Sequence, residues 1–124
     1  MTSLKVALVQ KSAAPNQKNE NHRRMLQFIK EAAAMGADLV LFPEMWSNGY
    51  APPFPKAFDE PLHPDFEQER KAWFADAVEI DSPYVKELQS AAAQFQIGVC
   101  ATFLSQHQGK FQNTAILIDR NGRI

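Results

Sequence analysis

A chain of 124 residues is long enough for one domain with a real core. Hydrophobic residues make up 45% and charged residues 22%, an ordinary balance for a soluble globular protein. The formal net charge of -1 excludes a bulk field for nucleic acid or anionic membrane, and the single cysteine, Cys100, excludes an intrachain disulfide.

Residues 1–10 lack the pattern of a signal peptide, because their apolar run is short and holds Lys5. No stretch is long and apolar enough to span a bilayer. A cytoplasmic protein is therefore expected, with neither nucleic acid nor membrane as a partner.

The first apolar run, Val6-Ala7-Leu8-Val9, predicts a buried strand. After the break at Pro15-Asn16, Met25, Phe28, Ile29, Ala32 and Ala33 recur at helical spacing, with Arg23, Arg24, Lys30 and Glu31 mostly opposite. This predicts a helix over about residues 18–35, stopped by Gly36. Residues 39–42 are the second predicted strand. A strand-helix-strand unit of this length implies parallel, neighbouring strands.

From Ser47 to Pro64 five prolines exclude a regular helix or a central strand, and Tyr50, Phe54 and Phe58 are interleaved with them. A long loop holding apolar side chains reads as a folded wall of a site. Phe66, Arg70, Trp73, Phe74 and Val78 follow at helical spacing, in a region rich in acids that predicts a solvated face. Ser82-Pro83 predicts a helix start with a hydroxyl N-cap, and Val85, Leu88, Ala92 and Phe95 form its buried stripe. Residues 97–104 are apolar on both alternating faces, which suits a central strand covered on both sides. Residues 111–118 are a fourth strand, joined to the third by a short hairpin. Asn121-Gly122 favours a primed hairpin turn.

The most informative residue is Glu44, a carboxylate that ends the uncharged run Leu39-Val40-Leu41-Phe42-Pro43. Strand ends facing a crevice are where open α/β architectures place their chemistry. A carboxylate buried there loses water, which disfavours its charged form and suits general-base work. A solvated Glu at the start of a loop is the alternative. Other residues compete weakly. There is no Gly-rich phosphate loop and no zinc spacing. His22, His63 and His107 are scattered and read as structural or surface residues. Cys100 lies mid-strand with no basic neighbour in sequence, so a buried, inert thiol is expected. Trp46 and Trp73 read as packing residues rather than a nucleic-acid stacking platform.

The motif Gly36-Ala37-Asp38-Leu39-Val40-Leu41-Phe42-Pro43-Glu44-Met45-Trp46 with Gly49-Tyr50, preceded by residues 4–10, Asn21 and Ala33, resembles the opening of the carbon-nitrogen hydrolase (nitrilase) superfamily. Asn113-Thr114-Ala115, followed by Asp119, Gly122 and Arg123, resembles that family's strand before its catalytic lysine. The resemblance runs in register over essentially the whole chain.

It implies a nitrilase-type α-β-β-α sandwich, with about the first half present in residues 1–124. It also implies hydrolysis of a non-peptide C–N bond in a small-molecule amide, nitrile or N-carbamoyl compound, by a Glu-Lys-Cys triad without metal or organic cofactor. Only Glu44, the general base, is carried onto this sequence. Trp46 and Tyr50, next to it in the motif, are the substrate-pocket candidates. The lysine and the nucleophile fall beyond Ile124, so a chain truncated before them is expected, together with homo-oligomerisation through helical faces. Residues 101–105 depart from the family by lacking the Gly and Glu often found there. A catalytically inactive fragment acting as a protein-interaction module is the alternative function. A flavodoxin-like binding domain is disfavoured by the missing phosphate loop.

Overall fold

Strand β2 (Leu39–Leu41) lies between β1 (Val6–Leu8) and β3 (Gly98–His107), parallel to both, and β4 (Lys110–Ile118) closes the sheet antiparallel to β3. The order β1-β2-β3-β4 is that of the sequence. The structure, a computed structural model, describes residues 3–50 and 56–124. Pro52, Pro53, Phe54 and Pro55 of the predicted wall lie outside the described residues.

Two helices cover one face of the sheet. Helix α1 (Lys18–Ala34) buries Met25, Ile29 and Ala32 of the predicted stripe and Asn21 besides, while Phe28 and Ala33 are partly buried at its edge. Gly36, at φ +75°, takes the left-handed conformation that ends it and leads into β2. Helix α3 (Pro83–Phe95) buries Val85, Leu88, Ala91 and Ala92. These side chains meet Val40, Val99, Ala101, Phe103, Ile116 and Ile118 of the sheet in one core. Pro83 occupies the first helical position as its fixed φ allows. The Ser82 hydroxyl makes no cap hydrogen bond, however, and lies buried without a partner. The predicted hydroxyl cap is therefore absent.

Between β2 and α3 a single 3-10 turn (Pro64–Phe66) leads into α2 (Glu67–Ala75). Arg70 of α2 is buried, and its Nη1 donates to the carbonyls of Ala57 (2.8 Å) and His63 (2.5 Å). It thereby ties the proline-rich segment to the helix. Val78 lies outside the helix that its spacing predicts. Its N–H donates to Leu104 O and its carbonyl accepts from Gln106 N, forming an isolated parallel bridge with Ser105. Strand β2 is too short to pair with that end of β3, so Val78 satisfies the backbone groups left open there.

The Asn121-Gly122 turn also differs in type. Asn121 has no positive φ, whereas both primed turns need one at the first central residue. The turn is organised by Asp119 instead: its Oδ1 accepts from the N–H of Asn121 (2.7 Å) and of Arg123 (3.0 Å). These backbone donors, Arg123 first, hold the carboxyl below the usual aspartate range. Gly122, at φ +80°, comes so close to α3 that a Cβ would stand 2.6 Å from Gln89 O.

The second face of the sheet is covered only in part. At the far end of β3, Thr102 and Leu104 are buried. At the near end, the register aligns Leu8, Leu41, Cys100 and Leu117 in one row across all four strands. Leu8 is 62% exposed and Leu117 61% exposed. Among the described residues the expectation that β3 is covered on both sides thus holds for half its length: α1 and α3 cover one face, whereas on the other α2 and the turn after β2 reach only the far end of β3. An apolar row of this kind favours association. Sedimentation of the 124-residue chain is expected to show species larger than a monomer that bind a hydrophobic dye, and Leu117→Lys is expected to reduce both. A monodisperse monomer that binds no dye would contradict this reading.

Candidate functional site

The ladder of β2 continues one bond past Leu41, where Phe42 N donates to Cys100 O at 3.4 Å. Pro43 then has no N–H to give, and the chain turns away. Its carbonyl accepts from the Thr102 hydroxyl, which in turn accepts from Trp46 N at 3.3 Å. Met45 adopts φ +55°, and Gly49 N returns to Met45 O at 2.8 Å. Ser47 Oγ accepts from Leu104 N at 3.1 Å, which anchors the turn to β3.

Glu44 is the first residue of this turn, at the C-terminal end of β2. The expected burial is not found. Glu44 is exposed, because it projects from the end of a strand where the covering helices do not reach. Its Oε1 accepts a hydrogen bond from Asn113 Nδ2 on β4. By the alternation of β4, Asn113 shares the uncovered face of the sheet with Leu117, while Ile116 and Ile118 face the helices.

A cavity of about 420 Å³ opens beside this pair. Met45, Tyr50 and Leu104 form one wall, and Gln112 and Asn113 a polar rim. Phe58, Trp73, Phe74 and Phe111 form an aromatic box. Its rings meet at 5.3 Å for Phe58–Trp73, 5.1 Å for Trp73–Phe74 and 4.3 Å for Phe74–Phe111.

The structure separates the two pocket candidates. Tyr50 lines the cavity and is 70% exposed. Trp46 does not line it: the ring is fully buried in the core, edge-on to Phe42 and Phe28, with Nε1 donating to Asn21 O at 2.7 Å. Its place is in the scaffold under the turn. Trp73, which the sequence suggested only as a packing residue, is part of the box.

The histidines lie elsewhere. His22 Nε2 meets Glu87 at 2.6 Å, His63 Nδ1 accepts from Asp65 N, and His107 is exposed at the hairpin. Among the described residues no group of three or more His, Cys, Asp or Glu is arranged to hold a metal ion. Cys100 is partly rather than fully buried, opposite Leu41 and Leu117, and does not line the cavity.

Asn113 lies in the second family motif, but nothing in the sequence marks it as the partner of Glu44, 69 positions away. The box was also missed, since only sheet pairing brings Phe111 to Phe74.

The carbon-nitrogen hydrolase family pattern matches residues 5–124. The chain belongs to this family. The carbon-nitrogen hydrolase chain is 27% identical over 127 residues to an aliphatic nitrilase of Sinorhizobium fredii, covering 98% of itself and 40% of that protein. It is 29% identical over 122 residues to an aliphatic nitrilase of Rhodococcus rhodochrous, covering 98% and 32%. In fold it is similar to an amidase from Nesterenkonia sp., with a TM-score of 0.64 at 22% identity over 97% of this chain and 40% of that one. Another structure of that amidase shows covalent addition of an acetamide moiety at its active-site cysteine. The chain thus spans between 32% and 40% of the length of these proteins. Its fold is the corresponding part of the nitrilase-type sandwich, one sheet with its helical layer.

Partial burial holds the Cys100 thiol above its ordinary range, which lowers the thiolate fraction at neutral pH. Iodoacetamide is expected to modify Cys100 more slowly in the folded chain than in the chain unfolded by urea, with the folded-state rate rising as pH is increased. Faster reaction in the folded state would mark Cys100 as an activated nucleophile.

Proposed function

We propose that this chain carries the general base of a Glu-Lys-Cys hydrolase acting on the non-peptide C–N bond of a small amide, nitrile or N-carbamoyl compound, and that residues 1–124 form the N-terminal part of one such domain. The observation that carries the reading is Glu44 at the C-terminal end of a parallel strand, tied by Asn113 to the rim of an aromatic cavity. Asn113 occupies Oε1 and orients the carboxylate, so Oε2 is the oxygen that takes the proton from a cysteine thiol supplied outside these residues. With an amide or N-carbamoyl substrate the thiolate attacks the carbonyl carbon, a lysine stabilises the negative charge at the tetrahedral centre, and the C–N bond breaks as the amine leaves with the proton held by Glu44; with a nitrile the attack gives a thioimidate, which takes up water and loses ammonia. Either route leaves a thioester that water hydrolyses to the acid and the free thiol. None of these steps asks for a metal or organic cofactor.

A homo-oligomer joined through helical faces and a cytoplasmic location belong to the same reading. No described helix is long and apolar enough to cross a membrane. A second reading, an inactive fragment serving as a protein-interaction module, is favoured by the uncovered row of Leu8, Leu41, Cys100 and Leu117.

The 124-residue chain by itself is expected to show no amide or nitrile turnover. In a chain extended by the lysine and cysteine segments, Glu44→Gln is expected to lower kcat by about 10²–10⁴ with a smaller effect on KM. Robust turnover by the 124-residue chain that disappears in Cys100→Ser would overturn the assignment and make Cys100 the nucleophile.

A further inference from the structure

We propose that the cavity beside Glu44 takes the uncharged aromatic group of an aryl or arylalkyl amide or nitrile, and so sets the substrate class. The inference rests on the reading of Glu44 as the base of a C–N hydrolase and goes beyond it. Three separate segments deliver the box: Phe58 from the loop, Trp73 and Phe74 from α2, and Phe111 from the start of β4. Rings in tilted and edge-on contact at 4.3–5.7 Å offer both faces and edges to a further ring. The cavity, at about 420 Å³, falls in the range of small-molecule sites, roughly 300–1,000 Å³.

The polarity of the lining selects among the substrates that a C–N hydrolase might take. Among the described residues no charged side chain lines the cavity. The carboxylate of an N-carbamoyl amino acid would lose water against these aromatic rings, and none of the described lining residues returns a cation to it. A small aliphatic acyl group would leave most of the aromatic surface uncovered and gain few contacts. An aromatic group fills the box and leaves its polar end at Asn113, the residue that holds Glu44. The C–N group then faces the carboxylate.

The test is a fluorescence titration of the 124-residue chain with phenylacetamide, toluene, acetamide and N-carbamoylglycine. It is run in the Leu117→Lys background, to suppress binding at the uncovered sheet face. Trp73 reports from the cavity wall, while Trp46 is buried in the core. Phenylacetamide is expected to bind saturably, about tenfold or more tighter than acetamide, and N-carbamoylglycine not at all. Phe74→Ala is expected to weaken phenylacetamide about tenfold. Phe111→Leu, which keeps apolar bulk and removes the ring, does the same should Phe74→Ala fail to fold.

Four results overturn the proposal: no saturable binding of phenylacetamide, acetamide binding as tightly, N-carbamoylglycine binding as tightly, or insensitivity to both cavity variants. The reading of Glu44 fails separately. If toluene binds as tightly as phenylacetamide and Glu44→Gln changes neither, the aromatic pocket stands and the placement of a C–N group at Glu44 falls.

Discussion

One buried amide holds the site in place. Asn21 sits on the inner face of α1, fully shielded from solvent. Its Oδ1 accepts from Ala14 N at 2.7 Å, and its Nδ2 donates to Ala14 O at 2.8 Å and to Ser47 O at 3.2 Å. Its backbone carbonyl takes the Trp46 indole N–H. One residue therefore ties the segment after β1, the first helix and the turn after β2. The Asn21 side chain is shielded from water, and its bond to Ser47 and the Trp46 bond are buried, so losing a partner there costs about 1–3 kcal/mol for each group left unpaired. The turn that carries Glu44 is anchored at two of its later residues, Trp46 and Ser47, which are both held by Asn21.

From that anchor the arrangement of the site follows. Trp46 fills the space under the turn, with Phe42 and Phe28 at its edges and the Arg24 guanidinium 5.0 Å from its ring. With the tryptophan pointing inward, Glu44 points outward. It reaches the side of the sheet opposite α1 and α3, where Asn113 meets it. The position that looked like a desolvated crevice is a rim: the strand end supplies direction and Asn113 supplies orientation. The apolar character lies beside the carboxylate, in the box of Phe58, Trp73, Phe74 and Phe111, rather than around it.

Most of the scaffold was legible because local rules and global packing agree. The stripe from Met25 to Ala32, the stop at Gly36, Pro83 at its helix start and the apolar run of β2 each fall where their spacing places them. The motif around Glu44 was legible for the same reason. The misses are places where a long-range partner decides. Val78 continues a helical spacing, yet an open stretch of β3 takes it as a bridge. Asn121-Gly122 is a hairpin signal, yet Asp119 captures its N–H groups and α3 takes the glycine's backbone. Ser82 has a capping residue's identity without the bond. The burial of Glu44 was misjudged because its neighbours in sequence are apolar, while its neighbours in space are Asn113 and solvent. Trp46 and Tyr50 stand four residues apart in one motif, and nothing in that spacing reveals that one faces the core and the other the cavity.

The antiparallel closure of the sheet gives the molecule an order of assembly. The β3–β4 hairpin pairs His107 with Lys110 across a two-residue turn and then zips outward, so its contacts begin locally. The bonds that build the site join residues far apart in the chain: 56 positions between Trp46 and Thr102, and 69 between Glu44 and Asn113. Closing loops of that size costs chain entropy before any contact rewards it. The hairpin can pair without β2, whereas Glu44 meets Asn113 only after β2 has docked on β3. Whatever loosens that docking disperses the site first and leaves the hairpin for last, so the chemistry is more fragile than the secondary structure that surrounds it.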